Sequence, residues 1–196
     1  MHELAEVWTD RKGLILIGVS ALIYALVLVP FNQVHWDIAG ISIRPAAALP
    51  VVFGILWGPA AAFGFGIGNI AGDLSGSWSP MSIFGFLINV LYPYLSYLLW
   101  HRLMKGHEMR MGPYSLASFW TVTFVTTLAC MFLLAASGTV IFGRPFESKF
   151  ISYFGNNILW AMAVGPVLFW LTLGPAIKNG LVYGRKWDRS AMIERT

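Results

Sequence analysis

The sequence predicts an all-α integral membrane protein: six transmembrane helices in one compact bundle, with both termini cytoplasmic. Three observations carry this. Of the 196 residues 57% are hydrophobic and only 11% charged, against about 25% charged in an ordinary soluble domain. The mean hydropathy is +0.67, and the apolar residues fall in long runs, as membrane spans require. The thirteen Lys and Arg residues lie almost entirely between those runs, as membrane topology requires, and not on a nucleic-acid-binding patch. The length suits one domain, residues 1–196.

Six segments follow in order. The first, Gly13 to Phe31, is long enough to span. It lacks a small-residue cleavage site, so no removable signal peptide is expected. The second, Ile43 to Trp57, is short and interrupted by Pro45 and Pro50. The third, Pro59 to Leu74, is also short. Crossing the hydrocarbon core takes about 20 helical residues, so these two are expected to lean on neighbours. The fourth runs Ser82 to Leu103, the fifth Leu116 to Ala136 and the sixth Phe150 to Ile177. Alternating barrel-type strands are absent from the pattern, which leaves helices as the spanning element.

Orientation follows from the basic residues. With the N-terminus inside, ten of the thirteen Lys and Arg lie on the cytoplasmic side. Only Arg44, Arg144 and Lys149 lie outside. The outer loops are then Asn32 to Ser42, Ser75 to Met81 and Ser137 to Lys149.

This topology assigns each polar residue a depth. Arg44 opens segment two, and Asn69 and Asp73 close segment three, all at outer ends. Asn89 lies about 10 Å into segment four, and Asn156 and Asn157 similarly into segment six. Such residues are costly in lipid and face a bundle interior or a wet cavity. Six of them in one leaflet predict a polar pocket open to the outside, walled or capped by Trp36, Trp78 and Phe146, with Asp37 at its rim. Taken singly, each Asn is equally well read as a hydrogen-bonded contact between helices. Arg44 and Asp73 are expected to pair, since a pair neutralises two costly charges.

Catalytic and metal patterns are missing from the sequence. It has no His-Glu-x-x-His, no phosphate loop with Lys and no Gly-x-Ser-x-Gly elbow. Asp73 is the only acid within an apolar run, so a proton relay at successive depths is not expected. Thr121, Thr123, Thr126 and Thr127 read as helix residues bonded to their own backbone. Cys130, the single cysteine, reads as a small apolar core group, and His35 as a loop histidine. Neither an enzyme, a cofactor nor a metal site is expected.

Small residues recur at helical spacing: Ala60, Gly64, Gly68 and Gly72 in segment three, Ala21 and Ala25 in segment one. Such stripes let two helix backbones approach closely. The Ala21-x-x-x-Ala25 motif, the stretch RPAAALPVVFGILWGPAAAFGFGIGNIAGDL from Arg44 to Leu74 with its Gly58-Pro59 turn, and SIFGFLINVLYPYLSYLLW after it resemble the S components of energy-coupling factor (ECF) vitamin transporters. The resemblance covers most of Gly13 to Ile177. It implies a prokaryotic plasma-membrane subunit that binds a vitamin or related micronutrient from outside. It also implies association with a coupling subunit and two cytoplasmic ATPases, and tumbling of the S component within the membrane to carry the ligand across. By the same resemblance Ala21 and Ala25 contact the coupling subunit. The abundant aromatics favour a flat or bulky ligand: cobalamin or a fragment of it, a queuosine precursor or another heterocyclic vitamin, with a slight lean to a tetrapyrrole or heterocycle. A membrane scaffold or assembly subunit is the competing reading. It accounts for the small-residue stripes but not for polar residues converging in one leaflet.

Overall fold

The computed structural model describes residues 2–34, 37–38, 41–42, 44–105, 107, 109–110 and 112–183. A short helix α1 (His2–Glu6) precedes α2 (Arg11–Val34). Asp10 caps α2, its Oδ2 accepting the Gly13 N–H at 2.9 Å. Two residue pairs, β1 (Asp37–Ile38) and β2 (Ile41–Ser42), form a minimal antiparallel ladder where a loop was expected. A 3-10 turn (Pro45–Ala48) leads into α3 (Leu49–Trp57), and Gly58 separates α3 from α4 (Pro59–Leu74). The chain continues through α5 (Ser82–Leu103), α6 (Pro113–Phe142), α7 (Phe146–Ala163) and α8 (Gly165–Lys178).

Segments three and four match α4 and α5 to the residue. The other boundaries shift for local reasons. The fifth segment runs on to Phe142, so most of the expected outer loop Ser137 to Lys149 is helical. Gly143, at φ +63°, ends α6, with the N–H groups of Gly143 and Arg144 returning to the carbonyls of Thr139 and Gly138. The sixth segment is two helices bent by 49°. Pro166 stands at the start of α8; it has no N–H to give and its ring crowds the preceding turn, so the helix breaks there.

By length and apolarity α2, α5 and α6 are each able to cross a membrane, and α7 with α8 qualifies only as a bent pair, a broken span or a re-entrant loop. Helix α3 is different, with all nine of its residues buried. It sits inside the protein against α4, α5 and α8, so its short length never meets lipid. Around it lies the core, including Val51, Val52, Ile55, Leu56, Phe65, Tyr92, Trp100, Phe119 and Phe169. Large apolar side chains such as Leu22, Leu26, Leu87, Phe132 and Trp170 point outward, as a lipid-facing surface requires.

Glycine makes the tight contacts. A Cβ on Gly64 would stand 2.3 Å from the Ser20 Cβ and 2.6 Å from the Ile17 carbonyl oxygen; one on Gly68 would stand 2.7 Å from the Ala21 oxygen. The predicted stripe on α4 therefore seats α2 backbone to backbone. Gly54 does the same for α5, where a Cβ would fall 2.4 Å from the Pro93 oxygen. Gly58, at φ +52°, makes the α3–α4 turn. The ring of Tyr183 lies against this turn, and the Tyr183 N–H bonds the Leu56 oxygen.

Candidate functional site

The outer end of α4 delivers Asn69 and Asp73 to a cavity of about 380 Å³. Arg44, Asn69, Asp73, Asn89, Asn156 and Asn157 all line it. These six residues, predicted from depth alone, come from the edge of the 3-10 turn and from α4, α5 and α7. Ile88, Tyr92, Met131 and Leu134 give it apolar wall. A few polar groups set in apolar wall is the usual make-up of a small-molecule pocket.

One wall is a directed hydrogen-bond chain. Tyr24 Oη donates to Asn89 Oδ1 at 2.8 Å. Asn89 Nδ2 donates to Asn69 Oδ1 at 3.1 Å and to the Gly85 carbonyl at 2.9 Å. Asn69 Nδ2 donates to Asp73 Oδ2 at 3.0 Å, and Ser77 Oγ to Asp73 Oδ1 at 3.2 Å. Each link of the chain donates toward the carboxylate, and the Gly85 carbonyl and the Asp73 carboxylate, which can only accept, fix the orientation of both amides. The local fold explains the reach. Asn69 and Asp73 lie one turn apart on α4 and so share a face. Gly85 opens the facing turn of α5, where a Cβ would stand 3.0 Å from Asn69 Nδ2.

A second wall is built from α7. Asn156 Oδ1 accepts the backbone N–H of Arg44 at 2.8 Å, tying the entrance of the 3-10 turn to α7. Asn157 Nδ2 bonds the Tyr153 carbonyl at 2.9 Å. Asn69 and Asn156 are 8% and 5% exposed, so both are held in the protein and open only to the cavity they line.

The expected Arg44–Asp73 pair does not form: no salt bridge joins them among the described residues. Asp73 takes its hydrogen bonds from Asn69 and Ser77, close in sequence, while Arg44 is anchored through its backbone to α7. Both charges border the cavity without touching. Trp78 does not wall the cavity either. It is 59% exposed, on the loop after α4. Phe146 stacks on Phe150 and meets Phe132 edge-on between α6 and α7, away from the cavity. Trp36, His35 and the side chain of Asp37 lie outside the described residues. Ala21 and Ala25 are half-buried, and the Ala21 backbone meets Gly68.

Depth reasoning missed Tyr24, Ser77, Ser79, Ser82, Tyr153 and Arg144, which also line the cavity. Loop position was the available signal for the serines and for Arg144; they follow α4 and α6 directly. Tyr24 carries no depth signal, because a tyrosine in an apolar helix reads as core.

Below the cavity the threonines differ from expectation in part. Thr121 and Thr126 do bond their own backbone. Thr127 instead shares a 2.6 Å hydrogen bond with Tyr92, and Thr126 also meets Ser96 at 3.2 Å. Thr123 Oγ1 is buried with no partner among the described residues. Cys130 is buried, as expected. Among the described residues no three His, Cys, Asp or Glu side chains come together as metal ligands.

No solved structure matches the chain. A family model described as QueT transporter matches residues 14–173, which takes in α2 through most of α8 and every described residue of the cavity. Spans of this apolarity and this family match agree with the resemblance drawn from the sequence: the chain belongs to the QueT transporter family of ECF-type S components, membrane subunits that bind the substrate of a micronutrient transporter.

Proposed function

We propose that the chain captures a queuosine precursor, a 7-deazaguanine base, in the cavity lined by Asn69, Asp73, Asn89, Asn156, Asn157 and Arg44, facing the outside of a prokaryotic plasma membrane. The convergence of these six residues, from separate elements, on one partly apolar cavity carries the reading. The family supplies the substrate class. The volume supports it: about 380 Å³ is near the small end of ligand pockets, about 300–1,000 Å³. A flat bicyclic base suits that space, and a corrin does not. A scaffold role gives no reason for a polar cavity of this kind.

On this reading the six apolar segments form one bundle that meets the membrane with both termini cytoplasmic, as the basic residues argue. The coupling subunit and its ATPases dock on the exposed face of α2. Gly18 there is open, with nothing within 4 Å of a would-be Cβ, and Ala21 and Ala25 lie beside the exposed Leu22 and Leu26. The testing experiment is mass spectrometry of ligand retained through gentle purification, followed by titration with deazaguanine bases. A retained deazaguanine, or saturable binding of one, is expected. Retention of an unrelated vitamin with no response to the bases would overturn the assignment.

A further inference from the structure

We infer that Asp73 is the residue that selects the ligand, by accepting the adjacent ring N–H and exocyclic amine of an amino-lactam base. Asn156, with Arg44 beside it, donates to the ring carbonyl from the other wall. The inference rests on the deazaguanine reading above and adds the orientation of the base and the origin of its selectivity.

The direction of the hydrogen-bond chain carries it. Tyr24, Asn89 and Asn69 each spend a donor along the chain toward Asp73. Both Asn89 amide hydrogens are taken, one by Asn69 and one by the Gly85 carbonyl. What this wall presents to the cavity is thus dominated by the carboxylate at its end. An ionised carboxylate has about four acceptor positions. Asn69 occupies one on Oδ2 and Ser77 one on Oδ1; the Ser82 hydroxyl and the Arg44 charge also lie close, and no cation forms a salt bridge with it among the described residues. The remaining capacity suits two neighbouring donors on a flat ring, the arrangement that carboxylates take bidentately.

The other wall has the opposite polarity. Asn156 Oδ1 already accepts the Arg44 N–H, while its Nδ2 makes no bond among the described residues, so its two amide hydrogens are the groups left to offer, and the Arg44 guanidinium is donor-only. Helix α7 packs on α6 and the 3-10 turn, whereas α4 packs on α2 and α5. The Asp73 carboxylate and the Asn156 amide therefore stand on different walls of one cavity. A ring with two donors adjacent to a carbonyl satisfies both at once; a ring lacking the amine leaves the carboxylate short of a donor in a site that water has left.

The test is titration calorimetry of the full chain in nanodiscs with 7-deazaguanine and with 7-deazahypoxanthine, the same ring without the amine. Wild type should prefer 7-deazaguanine by about tenfold or more. Asp73→Asn turns an amide donor toward the ring donors, so affinity for 7-deazaguanine should fall about 30-fold or more and the preference should disappear. The wild-type comparison needs no variant to fold. Equal wild-type affinity for the two rings overturns the inference, as does a preference that survives in a folded Asp73→Asn protein; in both cases the substrate reading stands. If wild type binds neither ring, the deazaguanine reading falls and this inference with it.

Discussion

Replacing Gly64 tests whether the α2–α4 seam holds the site together. A Cβ at this position would lie 2.3 Å from the Ser20 Cβ, 2.6 Å from the Ile17 oxygen and 3.1 Å from the Ala21 nitrogen. Carbon atoms in contact sit at about 3.5–4.0 Å, so the helices must part by roughly 1 Å or more. Two of the three obstructing atoms are backbone, and no side-chain rotation removes them. Overpacking of this kind costs about 1–3 kcal/mol. Alanine recovers about 1 kcal/mol in helix propensity, which leaves Gly64→Ala up to about 2 kcal/mol less stable. Gly64→Val has a larger overlap and no such recovery, so about 3 kcal/mol or more is expected. For a chain of this size that is a fall in Tm of up to about 8 °C for alanine and about 6 °C or more for valine. Tryptophan fluorescence during thermal unfolding in detergent reads the shift. Gly18→Ala is the matched control on α2, because a Cβ there meets nothing within 4 Å; its Tm should be unchanged or slightly raised. An unchanged Tm in Gly64→Val, or an equal loss in Gly18→Ala, would refute the steric reasoning.

Three further outcomes are expected. Asn89→Ala leaves Tyr24 Oη and Asn69 Oδ1 without their partner; ligand affinity should fall about tenfold or more by calorimetry, and unchanged affinity would remove the chain from the site. Cys130 is fully buried, so a maleimide should label it only after denaturation, read by intact-mass spectrometry; rapid labelling of the folded protein would place it on an accessible surface. Ala25→Trp should abolish co-purification of the coupling subunit with ligand affinity retained; continued co-purification would exclude this face of α2 from docking.

How far the sequence could be read follows from where each signal resides. Segments three and four were legible to the residue because their ends carry chemical punctuation: Gly58-Pro59 before α4, and the serine-rich loop between Asp73 and Ser82. The small-residue stripe was legible because its period matches the helix. Asn69, Asn89 and Asn156 were legible as one group because depth is a one-dimensional coordinate that topology supplies. Pairing was not legible. Arg44 and Asp73 share a depth without forming a salt bridge, and depth holds no information about azimuth. Trp78 and Phe146 failed for the same reason: Trp78 sits beside the site in sequence but is exposed, and Phe146 packs between α6 and α7. Tyr24 and the Tyr92–Thr127 bond depend on which helix faces which, a three-dimensional fact that hydropathy does not encode. The break of the sixth segment is marked in the sequence only by Gly165-Pro166, inside an otherwise continuous apolar run.

The interface beneath the cavity bears on how a ligand would leave it. Tyr92 lines the cavity and bonds Thr127 at 2.6 Å; one turn further along α5, Ser96 meets Thr126 at 3.2 Å. Ser96 and Thr127 are fully buried, so these hydroxyls form a dry seam between α5 and α6. Parting the helices to open an inward path would strand the Tyr92 and Thr127 hydroxyls in apolar surroundings, at about 1–3 kcal/mol for each group left unsatisfied, while Ser96 and Thr126 keep their bonds to the Tyr92 and Val122 carbonyls. Reorientation of the whole subunit breaks none of these bonds, and on the proposed function it is the less costly route. A cross-link separates the two. With Cys130→Ala as background, Ser96→Cys and Thr126→Cys place two sulfurs on facing helices, and a disulfide needs them to close to about 2 Å. If the subunit moves as one body, oxidising this pair should leave uptake of labelled substrate into proteoliposomes at its reduced rate once the coupling subunit and ATPases are supplied. If the ligand passes between α5 and α6, oxidation should stop uptake and reductant should restore it, and that result would refute movement as one body.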